Sequence, residues 1–408
     1  MREEPFIWTI GPVPTSVETG EFDDLGVVEE IIEGYHSIVA LSVTALPIYS
    51  GDPWSRGLLW QEWVQELLHR QTQFLAALHP SLLGSESPNP TLRTLDLRYV
   101  AQGEQGDVEL VLLLKAFDAD AQRSRWWAQA LINEVLALFP AEYGLRPVAT
   151  EQELVRYALV QDELVDDEIE EEIGIGWWLG EIRRYEEFVP LDRERHVREQ
   201  NCLIYPFTWQ LSSMSQVLTL LHNWPGQATV SIALRPTRLQ ETEERHLCDL
   251  YATFEKLEEA DWLKARVQAQ IGQRVYASYL HRLKRPYLMR VRFAGRDSEP
   301  EALVRALGAT LSAVSERGPD PQFAKNPSET QFDVGYEVAF PRRGVEGELE
   351  TAWRNLQWLE FDDWGAELSL PIYRRFRYLV DAWGANAAFR LPVLPPELVT
   401  KLDLVSKV

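Results

Sequence analysis

The stretch TLDLRYVAQGEQGDVELVLLLKAF, Thr94 to Phe117, decides the fold class. In its first half Leu95, Leu97 and Tyr99 alternate with Thr94, Asp96 and Arg98, and in its second Val108, Leu110, Leu112 and Leu114 share a side. A period of two puts each set on one face of an extended strand. Between the runs lies GEQGD, Gly103 to Asp107, whose glycines permit the positive φ of a tight reversal. The stretch predicts an antiparallel pair.

Upstream, His36 to Tyr49 (HSIVALSVTALPIY) is apolar on both faces and rich in β-branched residues, the pattern of a central buried strand. Trp54 to Leu78 follows with Leu59, Trp63, Leu67, Phe74 and Leu78 at helical spacing. Downstream, a helix is predicted from about Asp120 to Phe139, ended by Pro140, and a strand around Leu145 to Val160. The order β-α-β-β-α-β is the ferredoxin-like pattern. A related series returns later: Val230, Ile232 and Leu234 alternate, a long helical segment spans Glu241 to Arg282, and Met289, Val291 and Phe293 alternate after Pro286. A helix near Glu299 to Glu316, a strand Gln331 to Phe340 and a helix Glu346 to Leu359 complete it. The expectation is an α+β chain of two tandem ferredoxin-like-type α/β sandwich modules, with mainly antiparallel sheets and helices on one face. Their bounds are read as 1–161 and 207–373, joined by an acidic and aromatic connector, 162–206, and followed by an exit segment, 374–408.

At 408 residues, with 15 Trp, 14 Tyr and 15 Phe, the chain can fill sizeable cores and is not compositionally disordered. Its net charge of −23 opposes nucleic acid and anionic membrane overall. The charge is uneven. Lys264 to Arg296 holds nine Lys or Arg and no acid, while eight of the eleven residues from Asp162 to Glu172 are acidic. Two cysteines, Cys202 and Cys248, give no disulfide framework and no metal quartet. MREEPFIW lacks the basic start and apolar core of a signal peptide, and Val108 to Phe117 is about half the length a spanning helix needs. A cytoplasmic chain without membrane insertion is the expectation.

Signatures of chemistry are sparse. GIGWWLG, Gly174 to Gly180, has its third glycine displaced from the spacing a dinucleotide loop needs, and Trp177 and Trp178 occupy the close-approach positions. A turn that packs tryptophan is the plainer reading. Adjacent residues of a strand face opposite ways, so one of the two Trp is a candidate protein-docking residue. No GxxxxGK[ST], HExxH, CxxC or GxSxG occurs, and His246 with Cys248 fits no helical metal site. No catalytic, cofactor-binding or metal residue is predicted, and no cofactor. Asp162, Asp166 and Glu170 share a helical face that could take a divalent cation or a basic partner, or simply face water. Lys284, Arg285, Tyr287, Arg290 and Arg292 form the better functional surface: cations interleaved with aromatics can hold single-stranded nucleic acid. The competing reading makes them internal cations paired with the acid excess.

Three segments carry a family resemblance: ATVSIALRPTRLQETEERHL (Ala228 to Leu247), TAWRNLQWLEFDDWG (Thr351 to Gly365) and RYLVDAWGANAAFRLPVLPP (Arg377 to Pro396). Their order resembles the region upstream of the P-loop motor in bacterial conjugation-type and HerA-like hexameric ATPases. The resemblance covers the C-terminal half. It implies an accessory region whose motor is absent, either a split or truncated subunit or a stand-alone relative. No motor motif has a counterpart here, so no catalytic residue carries over. The expected function is a non-catalytic scaffold that docks with itself or with a P-loop ATPase. The alternatives are a single-stranded nucleic-acid-binding module, with DNA as its partner, built on the 264–296 surface, and an enzyme with an unrecognised site at the module boundary.

Overall fold

The computed structural model describes residues 4–23, 26–47, 59–83, 92–102, 108–159, 177–188, 202–207, 213–257, 263–296, 301–312, 335–342, 345–364 and 375–394. The Thr94–Phe117 stretch forms the antiparallel pair its alternation requires, β3 (Leu92–Gln102) and β4 (Val108–Asp118). On their outer side β4 pairs with β2 (Gly26–Ala45), which pairs with β1 (Trp8–Asp23) and with the short β5 (Gly144–Pro147). On the inner side β3 pairs with β9 (Gln227–Pro236) and β9 with β10 (Tyr287–Arg296). Next come β6 (Trp177–Arg184) and β11 (Tyr336–Ala339), with the two-residue β12 (Leu379–Val380) also on β10. Each of these pairings is antiparallel. The result is one continuous ten-stranded sheet, while β7 (Glu186–Phe188) and β8 (Cys202–Ile204) form a separate pair.

That continuity changes two sequence expectations. Trp177 to Arg184, placed in the 162–206 connector, is an internal strand, because Leu179 and Ile182 have apolar partners on both sides of the sheet. Nor are helices confined to one face. One face carries α1 (Trp60–Leu83), α2 (Ala121–Leu138), α4 (Ser213–His222) and α7 (Glu301–Ser312) over a core that runs from Val39 and Leu41 through Leu97, Leu112 and Ile232 to Val291 and Phe293. The other is covered by α3 (Glu151–Ala158), α8 (Glu348–Gln357) and the pair α5 (Glu241–Leu257) and α6 (Leu263–Arg282). Residues on both sides of each central strand are therefore dry, which is why β3, β4, β9 and β10 are buried almost end to end.

Local chemistry explains the smaller differences. The strand expected at Leu145–Val160 stops at Pro147, whose ring removes a ladder donor, and Thr150 then caps α3 by accepting from the Glu153 amide. The long helix expected at 241–282 is a hairpin of α5 and α6. In β6, Gly180 is required by close approach, since a Cβ there would stand 2.2 Å from the Phe293 ring. The described part of the exit segment, 375–394, packs onto the protein: Leu379, Val380, Phe389 and Leu391 are buried with α9 (Ala382–Ala385) among them, and Trp383 stays partly exposed. Tyr99 donates to the Arg390 carbonyl at 2.6 Å, and the Leu391 amide donates to Gln71 at 2.9 Å.

Candidate functional site

The alternation that puts Leu95, Leu97 and Tyr99 against the helices sends Asp96 and Arg98 to the opposite face. The neighbouring strands repeat the pattern. Ser231 and Arg235 come from β9, Lys115 from β4, Arg290 and Arg292 from β10, Glu181 and Arg183 from β6, and all are at least nine-tenths buried. A charged layer thus lies inside the protein, between the sheet and the chain that crosses it from α8 to Trp364.

Hydrogen bonding accounts for its stability, because buried ions persist only when paired and bonded. Arg98 is fully enclosed. Its Nε donates to Asp96 at 2.7 Å, its Nη1 to the Tyr157 carbonyl at 2.7 Å, and its Nη2 to the Leu356 carbonyl. Asp96 also accepts from Ser231 at 2.8 Å. Arg292 donates to the carbonyls of Asn355, at 2.7 Å, and Glu360. Arg290 reaches Glu181 at 3.0 Å, the Phe361 carbonyl at 2.9 Å and the Asp363 carboxylate, with its guanidinium 3.4 Å over the Tyr378 ring. Lys115 donates to Glu360 at 2.7 Å. Several of these acceptors, Tyr157, Asn355 and Leu356, are carbonyls in the last turns of α3 and α8, where a helix leaves its acceptors unsatisfied and carries negative partial charge. The arginines on the sheet thereby cap the helices that cover it.

Charge balance sets the protonation states. Burial would raise the Glu181 carboxyl, but Arg290, Arg183 and Arg292 around it hold it down at about 2. Arg292 is lowered to about 10 by burial, Glu181 opposing the shift and Arg290 adding to it. Burial likewise lowers Lys115, against the pull of Glu360. His36 accepts or donates at Thr15 Oγ1 across 2.7 Å and stands 3.5 Å from Glu360, yet burial and the Lys115 charge lower it to about 2. Lys115 is the closer partner of Glu360, so the imidazole remains neutral.

A neutral buried His36 has a pH signature. Below its ordinary value of 6.5 the unfolded chain takes up a proton that the folded one refuses, so stability falls as pH falls, from about 6.5 toward 2. Glu181 adds to the loss from about 4.5 downward, because its folded value is depressed. Denaturant titrations from pH 7 to 5 are expected to lose about 2 kcal/mol in total from His36, the slope approaching about 1.4 kcal/mol per pH unit at the acid end, and His36→Gln is expected to flatten that slope. An unchanged slope in the variant would overturn this assignment.

Three of the predicted surface residues are therefore not at a surface. Arg290, Arg292 and Tyr287 are buried, the last donating to the Leu75 carbonyl at 2.7 Å, because their strand is internal and covered on both sides. The internal-cation alternative describes Arg290 and Arg292. Lys284 and Arg285 remain exposed at the end of α6. Trp177 and Trp178 are both half-buried on β6, with Trp177 edge-on to Trp353 at 5.6 Å. Asp162, Asp166, Glu170 and Gly174 lie outside the described residues. His246 stacks on Phe376 and Cys248 is exposed, both on α5. The residues that sequence reading missed, Asp96, Arg98, Lys115, Glu181 and Glu360, left a signal: charges at same-face spacing (Asp96/Arg98, Glu181/Arg183), and a lone Lys within VLLLKAF.

A cleft of about 180 Å³ opens where β3 ends and β9 begins, between Gln102, Gln227, Arg156, Trp177 and Arg296. Arg156 is held there by Glu109 at 2.9 Å. Among the described residues no group of three or more His, Cys, Asp or Glu side chains is placed to hold a metal ion, and no helix is long and apolar enough to cross a membrane. The segments 228–247, 351–365 and 377–396 meet at one place: Ala233, Phe361 and Leu379 share an apolar cluster, and Arg235 lies 4.8 Å over the Phe361 ring. No protein-family model matches the chain, and no curated protein sequence matches it.

Proposed function

We infer that the chain is a non-catalytic scaffold that assembles with itself, with a P-loop ATPase of the conjugation or HerA type, or with both, in a bacterial cytoplasm. The observation that carries this reading is the use made of the buried charges. Side chains that could bind or activate a substrate, among them Asp96, Arg98, Glu181, Arg290 and Lys115, are engaged with one another and with the carbonyls of the covering chain. A platform fixed in this way presents outer surfaces and protects its interior from exchange with ligands.

The fold reading that accompanies it is two ferredoxin-like-type modules joined edge to edge. In support, β5-β2-β4-β3 and β11-β6-β10-β9 have the same spatial order relative to the chain, with α1 and α2 in the first series matched by α4 and α7 in the second. In this reading the second module starts at Trp177, and the α5–α6 hairpin replaces the tight turn between its middle strands. The modules join through β3 and β9, which pair from Leu95↔Leu234 to Gln102↔Gln227.

The test has two arms. Tagged chain recovered from its native host is expected to bring down a P-loop ATPase in stoichiometric amount, while calorimetry of the isolated chain with Mg-ATP shows no saturable heat. Saturable Mg-ATP binding by the chain alone would sink the reading, as would recovery with nucleic acid and no ATPase.

A further inference from the structure

The basic run left one part of itself outside the core. Helix α6 is amphipathic: Tyr276, Ala269 and Val275 face inward, while Arg266, Val267, Arg274, His281 and Arg282 are exposed on one side, continued by Lys284 and Arg285. This side is cationic around an apolar centre, since Val267 is 44% exposed. At a rise of 1.5 Å per residue the helix is about 30 Å long.

A surface of opposite charge and similar length lies at the far edge of the sheet. Beyond Tyr35, where β2 leaves β4, residues Gly26–Gly34 pair only with β1 among the described residues. This ribbon is about 30 Å long at 3.3 Å per residue. From Gly11 to Ala45 the sequence has no Lys or Arg, while Glu18, Glu21, Asp23, Glu29, Glu30 and Glu33 are acidic. Glu30 and Glu33 are exposed, and Ile31 between them is 77% exposed, the most of any large apolar side chain described.

We propose that the acidic β1–β2 ribbon of one copy docks along the basic outer side of α6 in a second copy, with Ile31 set against Val267. The ribbon is the outermost pair of the sheet, and β10, which follows α6, lies five strand positions from β1, about 24 Å across the sheet at 4.8 Å per step. A contact between two different surfaces of one chain type is heterologous, so it builds a ring or a filament. The −23 net charge does not forbid it, because screening over about 8 Å leaves neighbouring patches to act locally. Single-stranded nucleic acid fits the helix less well: among the described residues its exposed side carries no aromatic ring for stacking, since Tyr276 is buried and the Tyr279 hydroxyl accepts from Arg184 within the protein. This inference rests on the reading of the chain as a self-assembling scaffold.

Sedimentation velocity on the full chain and two charge-reversed forms tests it. One form carries Arg266→Glu, Arg274→Glu and Arg282→Glu, and the other carries Glu29→Lys, Glu30→Lys and Glu33→Lys. The wild-type protein is expected to associate at low salt and dissociate as salt is raised, and each reversed form to associate about a hundredfold more weakly. Mixing the two reversed forms is expected to restore association, since each then meets its opposite. Unchanged melting temperatures would show that both forms remain folded. Association that ignores both reversals overturns the ribbon–helix contact but leaves self-assembly standing. A wild-type chain that stays monomeric at low salt overturns both, and single-stranded DNA binding abolished by the α6 reversal, without self-association, assigns the helix to nucleic acid instead.

Discussion

Replacing Arg98 by Met is expected to destabilise the protein by about 3–5 kcal/mol, the cost of removing one member of a buried ion pair. The Met side chain refills most of the volume, so the loss is electrostatic. It strands the Asp96 carboxylate, which among the described residues keeps Ser231 as its side-chain hydrogen-bond partner at 2.8 Å, and it leaves the Tyr157 and Leu356 carbonyls without their guanidinium donor. Each uncompensated buried acceptor adds about 1–3 kcal/mol. Because those carbonyls end α3 and α8, both covering helices are expected to loosen together, and hydrogen exchange should rise in both. Chemical denaturation of R98M beside a D96N/R98M double variant checks the account. The double variant removes the stranded charge and is expected to regain part of the loss. A single variant within about 1 kcal/mol of wild type would contradict the buried pairing.

Glu181→Gln is expected to cost a similar amount, about 3–5 kcal/mol, by a different route. The amide is isosteric, so packing survives, but the carboxylate that lies 3.0 Å from Arg290 and 3.4 Å from Arg183 is gone. Arg290, Arg183 and Arg292 are then left with a shortage of negative charge in a dry layer, where the half-exposed Asp363 is the carboxylate that still touches Arg290 among the described residues. The sign with pH distinguishes this from a packing defect. Glu181 stabilises the wild type fully above its ordinary 4.5 and loses that contribution as pH falls toward about 2. The gap between E181Q and wild type is therefore expected to be largest near neutrality and to narrow in acid. Adding Arg290→Met to E181Q should recover part of the loss, with a coupling of about 0.5–3 kcal/mol for groups in contact. A gap that stays constant from pH 7 to 3 would argue against an electrostatic origin.

Both variants act on the layer that also decides which of the sequence-predicted residues can meet a partner. Arg290 and Arg292 were candidates for a nucleic-acid surface because they alternate with apolar residues on a strand. Alternation identifies the polar face of a strand, and in a sheet with one wet face that face is the surface. Here the polar face is covered by α8 and the chain to Trp364, and the cations of β10 find carbonyls and acids in place of water. The same helix–strand run keeps its exposure along α6, where a 3.6-residue period separates Arg266, Arg274 and Arg282 from the buried Tyr276, and at Lys284, Arg285 and Arg296.

Local sequence by itself determined the elements whose signals are strong over short range. The antiparallel pair β3–β4, the alternations at 228–236 and 287–296, the Asp120-capped α2 and the helix near 301–312 follow from side-chain period and caps, none of which needs a distant partner. The acid excess and the basic run are also properties of the sequence alone. Long-range pairing settled the rest. Nothing within β3 or β9 says that they pair with each other, because backbone ladders are indifferent to sequence and register depends on which apolar faces are buried together. That single pairing merges two series of strands into one sheet, and the placement of Trp177–Arg184 between β10 and β11 extends it. Whether a strand arginine faces water or the end of a helix then depends on residues far along the chain, 258 positions away for Arg98 and Leu356. A charge reads the same in either setting. Only the tertiary contacts give it a partner, since a charge is stable in a dry interior only when the fold brings an opposite charge or unsatisfied carbonyls to it.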